Sequence, residues 1–400
     1  MGGELMTSVP PSLAETAHEG RTWLLEAAAP LWSTKGRTTS RLFAERINLA
    51  GQADSSYYRT FVQARHVFSF VAIGKLGWSG PWQELIEETV RTLLRTARRA
   101  DGFFVHSLDV EANPLDVRAD LYDQAFMLLA LGTAGGALGR EEWFDEAEAL
   151  LNRLESEWTH PLGGFREGEI VDPRIRRQNP HMHLLEAFLA LHESSGRDRF
   201  REAACSIAEA AAARFVDRAS GALLEYFTEE LEPAPGIEGR VAEPGHCFEW
   251  AWLFERLAHT DWCHGAALSD HLTAFARRYG VDAVRNVAIN EVLTDGSVKN
   301  GSARLWPQTE RLKVAIARYR RLGGELEAHE TVAAARGLRQ YLDLCTPGLW
   351  HDKLREDGTW VDELAPGSSL YHISCAYQEL AGVGLQIRRR DGMVALQQRG

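Results

Sequence analysis

Three histidines stand where a carboxylate or a phenol shares their helix face or their position. His246 follows Pro244-Gly245 and has Glu249 three residues on; His183 has Glu186 three residues on, with His181 nearby; His372 adjoins Tyr371. At i, i+3 two side chains share one helix face, so the carboxylate can orient the imidazole. A lone histidine on an apolar helix is more often a satisfied core residue. Three at matching places in three segments point to shared chemistry. Histidine titrates near neutral pH, so two of them can take a proton from a carbon acid and return it. A metal site competes for the same residues, since two H-x-x-E segments offer nitrogen and oxygen ligands. Di-iron bundles instead use Glu-x-x-His plus further glutamates from two more helices, and those are not evident. The expectation is therefore no metal and no cofactor.

Other constellations are weaker. Asp123, Glu249 and Asp362/Glu363 can supply a glycosidase pair, which needs two carboxylates within about 5–10 Å; that reading stays open. Cys247 adjoins His246, but helix neighbours diverge by about 100°, which disfavours a nucleophilic dyad. GGALG (135–139) is a helix-ending loop, not a phosphate cradle, and Arg388-Arg389-Arg390 reads as a solvated helix end. Trp250, Trp252, Trp306 and Trp360 are candidate platforms for sugar C–H faces. Trp252, within its helix, reads better as core, whereas Trp306, in a loop before Pro307, reads as ligand-facing. Arg65 lies in the apolar run QARHVFSF (63–70) and must find a partner, as a substrate oxygen or a carboxylate. Arg240, just before EPGH, can serve likewise.

These groups need a scaffold, and apolar periodicity near 3.6 supplies one from end to end. Helices are expected near 12–32, 57–76, 83–99, 118–137, 141–157, 180–194, 198–217, 245–259, 264–279, 306–321, 325–345 and 369–386. They pair into six hairpins, the first helix of a pair more charged (EEWFDEAEALLNRLESEW, 141–158) and the second more apolar (HLLEAFLALHE, 183–193). A helix with one charged face meets water, and one apolar on several sides is buried. Between the helices of a pair lie glycine-plus-apolar segments that read as short strands: DGFFVHSLD (101–109), LGGFREGE (162–169), SGALLEYF (220–227), DGSVKNGS (295–302) and DGTWVDEL (357–364). Their spacing is roughly 60 residues with one longer gap, beyond the 34–47 of common solenoids. The expectation is an all-α (α/α)6 barrel, one domain over 1–400 with its core at about 12–388. LYDQ (121–124), QNPHMHLLEA (178–187), EPGHCFEWAW (243–252), RLWPQTERLK (304–313) and SSLYHISCAYQE (368–379) then converge on one mouth, a default small-ligand site.

Composition narrows the ligand. The 400 residues are 45% apolar and 25% charged, ordinary for a chain with a full core. Lys and Arg number 44 against 56 Asp and Glu, a net charge of −12, which argues against nucleic acid and other polyanions. Five cysteines with no C-x-x-C pair fit a reducing compartment. With no signal-peptide pattern at the N-terminus and no run of about 18 apolar residues, a cytoplasmic chain without a membrane partner is expected. Monomer and homodimer are both open.

NPHMHLLEAFLAL (179–191), EPGHCFEWAWL (243–253), RLWPQTERLK (304–313) and YHI (371–373) resemble the N-acylglucosamine 2-epimerase superfamily over about residues 20–388, most of all its D-mannose isomerases and related aldose–ketose isomerases. The resemblance implies an (α/α)6 barrel that interconverts sugars through an enediol(ate), without metal or nucleotide in the isomerases. By resemblance, His372 moves the proton between C2 and C1. His246 opens the ring or, in epimerases, works from the other face of C2, with Glu249 beside it. Arg65, Asn179, His183 and Arg240 match substrate-binding positions, and Tyr122 and Trp306 wall positions. Ser368 and Phe126 depart from the larger residues of some isomerases. The expected reaction is D-mannose to D-fructose on a free monosaccharide. The alternatives are 2-epimerisation of mannose/glucose or N-acylglucosamine, and, from another class, a glycosidase or a non-catalytic sugar-binding protein.

Overall fold

The computed structural model describes residues 11–397 except 173, 259–261 and 263, with side chains described over 13–383. Cys263 and the side chains of Arg388–Arg390 therefore lie outside the described residues. An outer set of helices comprises α1 (Pro11–Trp23), continued through a π turn into α2 (Ala29–Thr34), then α4 (Trp82–Thr96), α6 (Glu141–Glu157), α8 (Asp198–Arg214), α10 (Gly265–Gly280) and α12 (Gly324–Leu342). The inner set comprises α3 (Thr60–Lys75), α5 (Leu121–Leu138), α7 (Asn179–Ser195), α9 (Pro244–Leu257), α11 (Leu305–Leu322) and α13 (Ser369–Gln397). Each inner helix packs on the next in chain order, and α13 packs back on α3, so the ring closes. An open solenoid would lack that last contact.

Burial explains why the two sets differ. In α5 every residue from Leu121 to Gly135 except the half-buried Tyr122 is buried, because neighbours surround it on both sides, behind and across the barrel. In α6 only Trp143, Phe144, Ala147, Leu150, Leu151 and Leu154 are buried, one stripe of an otherwise charged helix. Each such buried aliphatic or aromatic side chain contributes about 1.5–3 kcal/mol. Asp120 caps α5 by accepting the Tyr122 N–H at 2.8 Å, and Pro180 and Pro244 occupy first-turn positions of α7 and α9 where no N–H is needed.

The loops carry the repeat more regularly than their glycines suggest. Six backbone N–H groups, those of Ala44, Val105, Arg166, Leu224, Ile289 and His351, each return to a carbonyl at the end of the preceding outer helix, at 2.7–2.9 Å. Just before each donor lies Phe43, Phe104, Phe165, Leu223, Ala288 or Trp350. In three repeats a buried glutamine in the first turn of the inner helix grips that residue's backbone 20 positions upstream: Gln63 on Phe43, Gln124 on Phe104 and Gln308 on Ala288. His181 does this for the Phe165 N–H at 3.0 Å. DGSVKNGS and DGTWVDEL belong to additional hairpins in their loops; the repeat positions there are 288–289 and 350–351. The copy at 43–44 has no glycine-aromatic signature, so only the hydrogen bonds reveal it.

The residue after each donor, Glu45, His106, Glu167, Glu225, Asn290 or Asp352, therefore occupies one recurring slot at the mouth. From there the backbone carbonyl ties repeat to repeat: Thr60 donates to His106, Leu121 to Glu167, Leu305 to Asp352, and Gly367 to Glu45 across the closure.

Candidate active site

A cavity of about 600 Å³ opens among the N-terminal ends of the inner helices. It is lined by Phe61 and Arg65 from α3, Tyr122 from α5, Asn179 and His183 from α7, His246 and Glu249 from α9, Trp306 from α11, and Ser369 and His372 from α13. Loops add Arg46, Arg59, Glu243, Arg304, Asp352, Lys353, Glu363, Leu364, Pro366 and Ser368. Thus His372, His246, Glu249, Arg65, Tyr122, Asn179, His183 and Trp306 come together as expected from sequence. Arg240 does not: its side chain is half exposed and pairs with Asp295. The preceding three-residue 3-10 turn, Glu238–Arg240, aims it outward, and Arg304, paired with Glu243 at 3.1 Å, lines the cavity instead.

Trp306 lies between the two histidines, its ring centroid 4.7 Å from that of His246 and 5.8 Å from that of His372. It belongs to the first turn of α11 and not to a loop; Pro307, also in that turn, needs no intrahelical acceptor. Trp252 is core, as its position suggests, and Trp250 is fully buried with its indole N–H on Gln178. Trp360 stacks on His351, away from the cavity.

Each of the three histidines has its Nδ1 turned to a carboxylate, which leaves Nε2 for the cavity. His372 meets Glu310 at 2.8 Å and His183 meets Glu186 at 3.4 Å. For His246 the partner is Glu225 at 2.9 Å, with Glu243 at 3.8 Å, and not Glu249. The i+3 carboxylate misses because Glu249 turns toward α11, where the Lys313 ammonium lies at 3.7 Å. Glu225 occupies the recurring mouth slot in which Glu45 holds Arg59 and Glu167 holds Arg177. This acid lies within SGALLEYF, which the sequence marks only as a strand-like segment, and no spacing ties it to a histidine 21 positions on.

The environments drive the two mouth histidines apart. Burial presses His246 down, but the carboxylates of Glu225 and Glu243 outweigh it and hold its pKa up at about 9. Burial presses His372 well below its ordinary value, and the charges of Arg65 and Lys313 add to that. One imidazole is thus held as a cationic acid and the other as a neutral base. Burial also lowers His183, against the pull of Glu186. His181 is pushed down to about 4 by burial; gripping a loop backbone, it is removed from the chemical set.

Arg65 carries a buried cation with no carboxylate on it among the described residues. It is surrounded by the rings of Phe126 at 4.3 Å, Tyr371 at 5.0 Å, Phe61 at 5.3 Å and Tyr122 at 5.6 Å from its guanidinium carbon, and donates to the Tyr122 hydroxyl at 2.5 Å. A guanidinium desolvated by rings and facing a cavity is a strong seat for a developing oxyanion. Phe126 is therefore the wall under this cation. Ser368 lends only its backbone carbonyl, at 3.4 Å from Arg65. The buried Asn179 Oδ1 has no protein partner among the described residues and can accept from a ligand hydroxyl.

Three groups have one ligand atom each within 4.8 Å of one another, spacing that can hold a metal ion: His183/Glu186/Glu249, Glu225/Glu243/His246 and Glu249/Glu310/His372. In each the histidine Nδ1 already faces a carboxylate, and Lys313 places a positive charge beside the last group. Among the described residues no helix is long and apolar enough to cross a membrane.

Residues 43–376 match the family model described as N-acylglucosamine 2-epimerase (GlcNAc 2-epimerase). The chain belongs to this family. It is an enzyme of the sugar isomerase and epimerase type. This N-acylglucosamine 2-epimerase family member is 40% identical over 369 residues to a protein of Rhizobium meliloti (strain 1021) named mannose-6-phosphate isomerase, covering 90% of this chain and 95% of that one. It is 28% identical over 307 residues to a D-mannose isomerase of Thermobifida fusca, covering 70% and 72%. The family member also superposes on the structure of cellobiose 2-epimerase from Spirochaeta thermophila with a TM-score of 0.83 at 22% identity, covering 97% and 100%, which shares the barrel.

Proposed function

We propose that the protein is an aldose–ketose isomerase acting on a free hexose, D-mannose to D-fructose, through a cis-enediol(ate). The observation that carries this reading is the opposed bias of His246 and His372 in one cavity. Neutral His372 Nε2 takes the proton from C2 of the open-chain aldose. The electron pair moves into C1–C2 as the carbonyl oxygen O1 takes up charge facing Arg65, and cationic His246 donates a proton there. The enediol then gives its O2 proton to His246, now neutral, as C2 becomes the carbonyl, and His372 returns its proton to C1, which restores both rings to their starting states. A base on one face suffices, whereas 2-epimerisation needs a proton from the opposite face.

A neutral sugar suits the charges around the seat. Of the five arginine and lysine side chains lining the cavity, Arg59 pairs with Glu45, Arg304 with Glu243 and Lys353 with Glu363. Arg65 is enclosed by rings, which leaves Arg46. A second reading, a hexose 6-phosphate, rests on the name of the Rhizobium relative and on Arg46, which has no carboxylate partner among the described residues. Incubation in deuterated water with D-mannose and, separately, mannose 6-phosphate tests both. Ketose carrying deuterium at C1 is expected from D-mannose. Ketose only from the phosphate moves the substrate to the second reading, glucose or its phosphate in place of ketose makes the enzyme an epimerase, and no turnover of any sugar sinks both.

A further inference from the structure

Beneath the catalytic face, α11 carries a lysine that is fully buried and exposed to no solvent. Lys313 Nζ lies 2.5 Å from Glu310 Oε2, 3.7 Å from Glu249 Oε1 and 3.8 Å above the centre of the Trp252 ring. It does not line the cavity and is one turn below Glu310, the carboxylate that receives His372. Glu310 Oε1 faces two donors, the His372 ring at 2.8 Å and the Thr309 hydroxyl at 3.0 Å, while Oε2 is ion-paired to the ammonium. We infer that Lys313 is a positioning residue that keeps Glu310 ionised, so that a full negative charge waits for the imidazolium formed when His372 takes the C2 proton. The inference rests on the isomerase reading for its chemistry, and on geometry alone for the state of Glu310.

The titratable groups facing this pair come from three other inner helices: Glu186 from α7, Glu249 from α9, and His372 and Cys375 from α13. Burial, then the negative charge of Glu249, holds the Glu310 carboxyl above its ordinary value even with Lys313 opposing them, so the close contact with the ammonium is the feature that favours its charge. Burial presses on the Lys313 ammonium too, but Cys375, Glu310, Glu249 and Glu186 hold it above its ordinary value. An uncompensated carboxylate at such a site takes up a proton. With Glu310 neutral, His372 would become charged against a neutral oxygen, the kind of loss seen when the orienting carboxylate of a histidine base is removed.

The test is Lys313→Met, read in two ways. Infrared difference spectra of the substrate-free protein at pH 7 should show the carbonyl stretch of a protonated buried carboxylic acid, absent from the wild type and lost again in K313M/E310Q. On the sugar identified as substrate, kcat should fall about a hundredfold with KM little changed, and the acid limb of its pH profile should move to higher pH. Lys313→Arg should show no such band and keep kcat within about tenfold, as rescue by the conservative charge. Where methionine prevents folding, judged by circular dichroism, Lys313→Gln takes its place. A folded variant without the acid band overturns the inference, as does a kcat loss with an unmoved pH limb. Failure of every sugar to react removes the isomerase reading but leaves the infrared result to decide the state of Glu310.

Discussion

Glu225 reaches His246 from 21 positions earlier in the chain and brings its Oε2 to 2.9 Å from the imidazole Nδ1. The pair joins two systems, a loop slot whose acid elsewhere holds an arginine and a helix start that presents a histidine to the cavity. It keeps His246 cationic. Glu225→Gln keeps the shape and removes the charge, so the His246 pKa should drop from about 9 toward its ordinary value. The alkaline limb of kcat/KM should move down by a unit or more. A profile unchanged on the alkaline side would remove His246 as the proton donor.

The same pair sets a pH window for stability. The folded pKa of His246, about 9, lies above its unfolded value of about 6.5. Its contribution is thus complete below pH 6.5 and is lost as the pH rises through 9. Urea unfolding across pH 6 to 10 should show wild-type stability declining over that window more than that of His246→Gln. Parallel curves would mean that the ring is not charged in the folded state.

His372 is expected to be indispensable to chemistry and dispensable to folding. It is buried, but it is the only side chain donating a ring N–H to Glu310 among the described residues, and Lys313 still neutralises that carboxylate when the ring is gone. His372→Asn should lower kcat at least a thousandfold, within the range for loss of a positioned base, with an unfolding midpoint near that of the wild type. Exchange of solvent deuterium into the sugar should cease as well. Retained exchange would remove His372 from the proton transfer.

Much of this site was legible because chemistry-bearing residues sit where an apolar helix has no other use for them. His183, His246 and Arg65 announce themselves against apolar surroundings, Asn179 is marked only by the family resemblance, and the closed ring of helices follows from apolar period and six-fold spacing. The partners were harder to read. Glu225 and Glu310 lie 21 and 62 positions from the histidines they hold, so no local spacing connects them. Glu249, at the inviting i+3 spacing from His246, is drawn instead toward the buried charge of Lys313. Arg240 illustrates the converse. Its place before EPGH is right in sequence, yet a single short turn points it at Asp295 in solvent. Local sequence fixes where a helix starts; which way a loop side chain leaves it depends on neighbours from other repeats.

Trp306 should govern binding more than turnover. Its indole stands beside both histidines without offering either a proton, and one face borders the cavity. Replacement by alanine would remove a flat apolar wall for sugar C–H groups while leaving the carboxylate partners of both rings in place. KM should rise about tenfold, equivalent to ~1.4 kcal/mol, with kcat reduced less. A larger fall in kcat than rise in KM would show that the ring also fixes the attitude of the two imidazoles.

The loop clamps make a separate, structural prediction at Gln124. Its side-chain oxygen accepts the Phe104 N–H at 2.8 Å, and its amide donates to the Phe104 and Asp120 carbonyls at 3.0 and 3.1 Å. All of this is buried, so no water replaces it. Gln124→Ala strands a backbone donor and an acceptor, each costing about 1–3 kcal/mol. The variant should lose about 2–5 kcal/mol of stability in urea unfolding. Gln124→Glu should do comparable harm, since an ionised carboxylate still accepts from Phe104 N–H but confronts the Phe104 carbonyl with like partial charge. Were the alanine variant as stable as the wild type, the hairpin would be held by its apolar residues and the clamp would be incidental. In that case the recurrence of glutamine at positions 63, 124 and 308, each gripping a residue 20 positions upstream, would need a different physical cause.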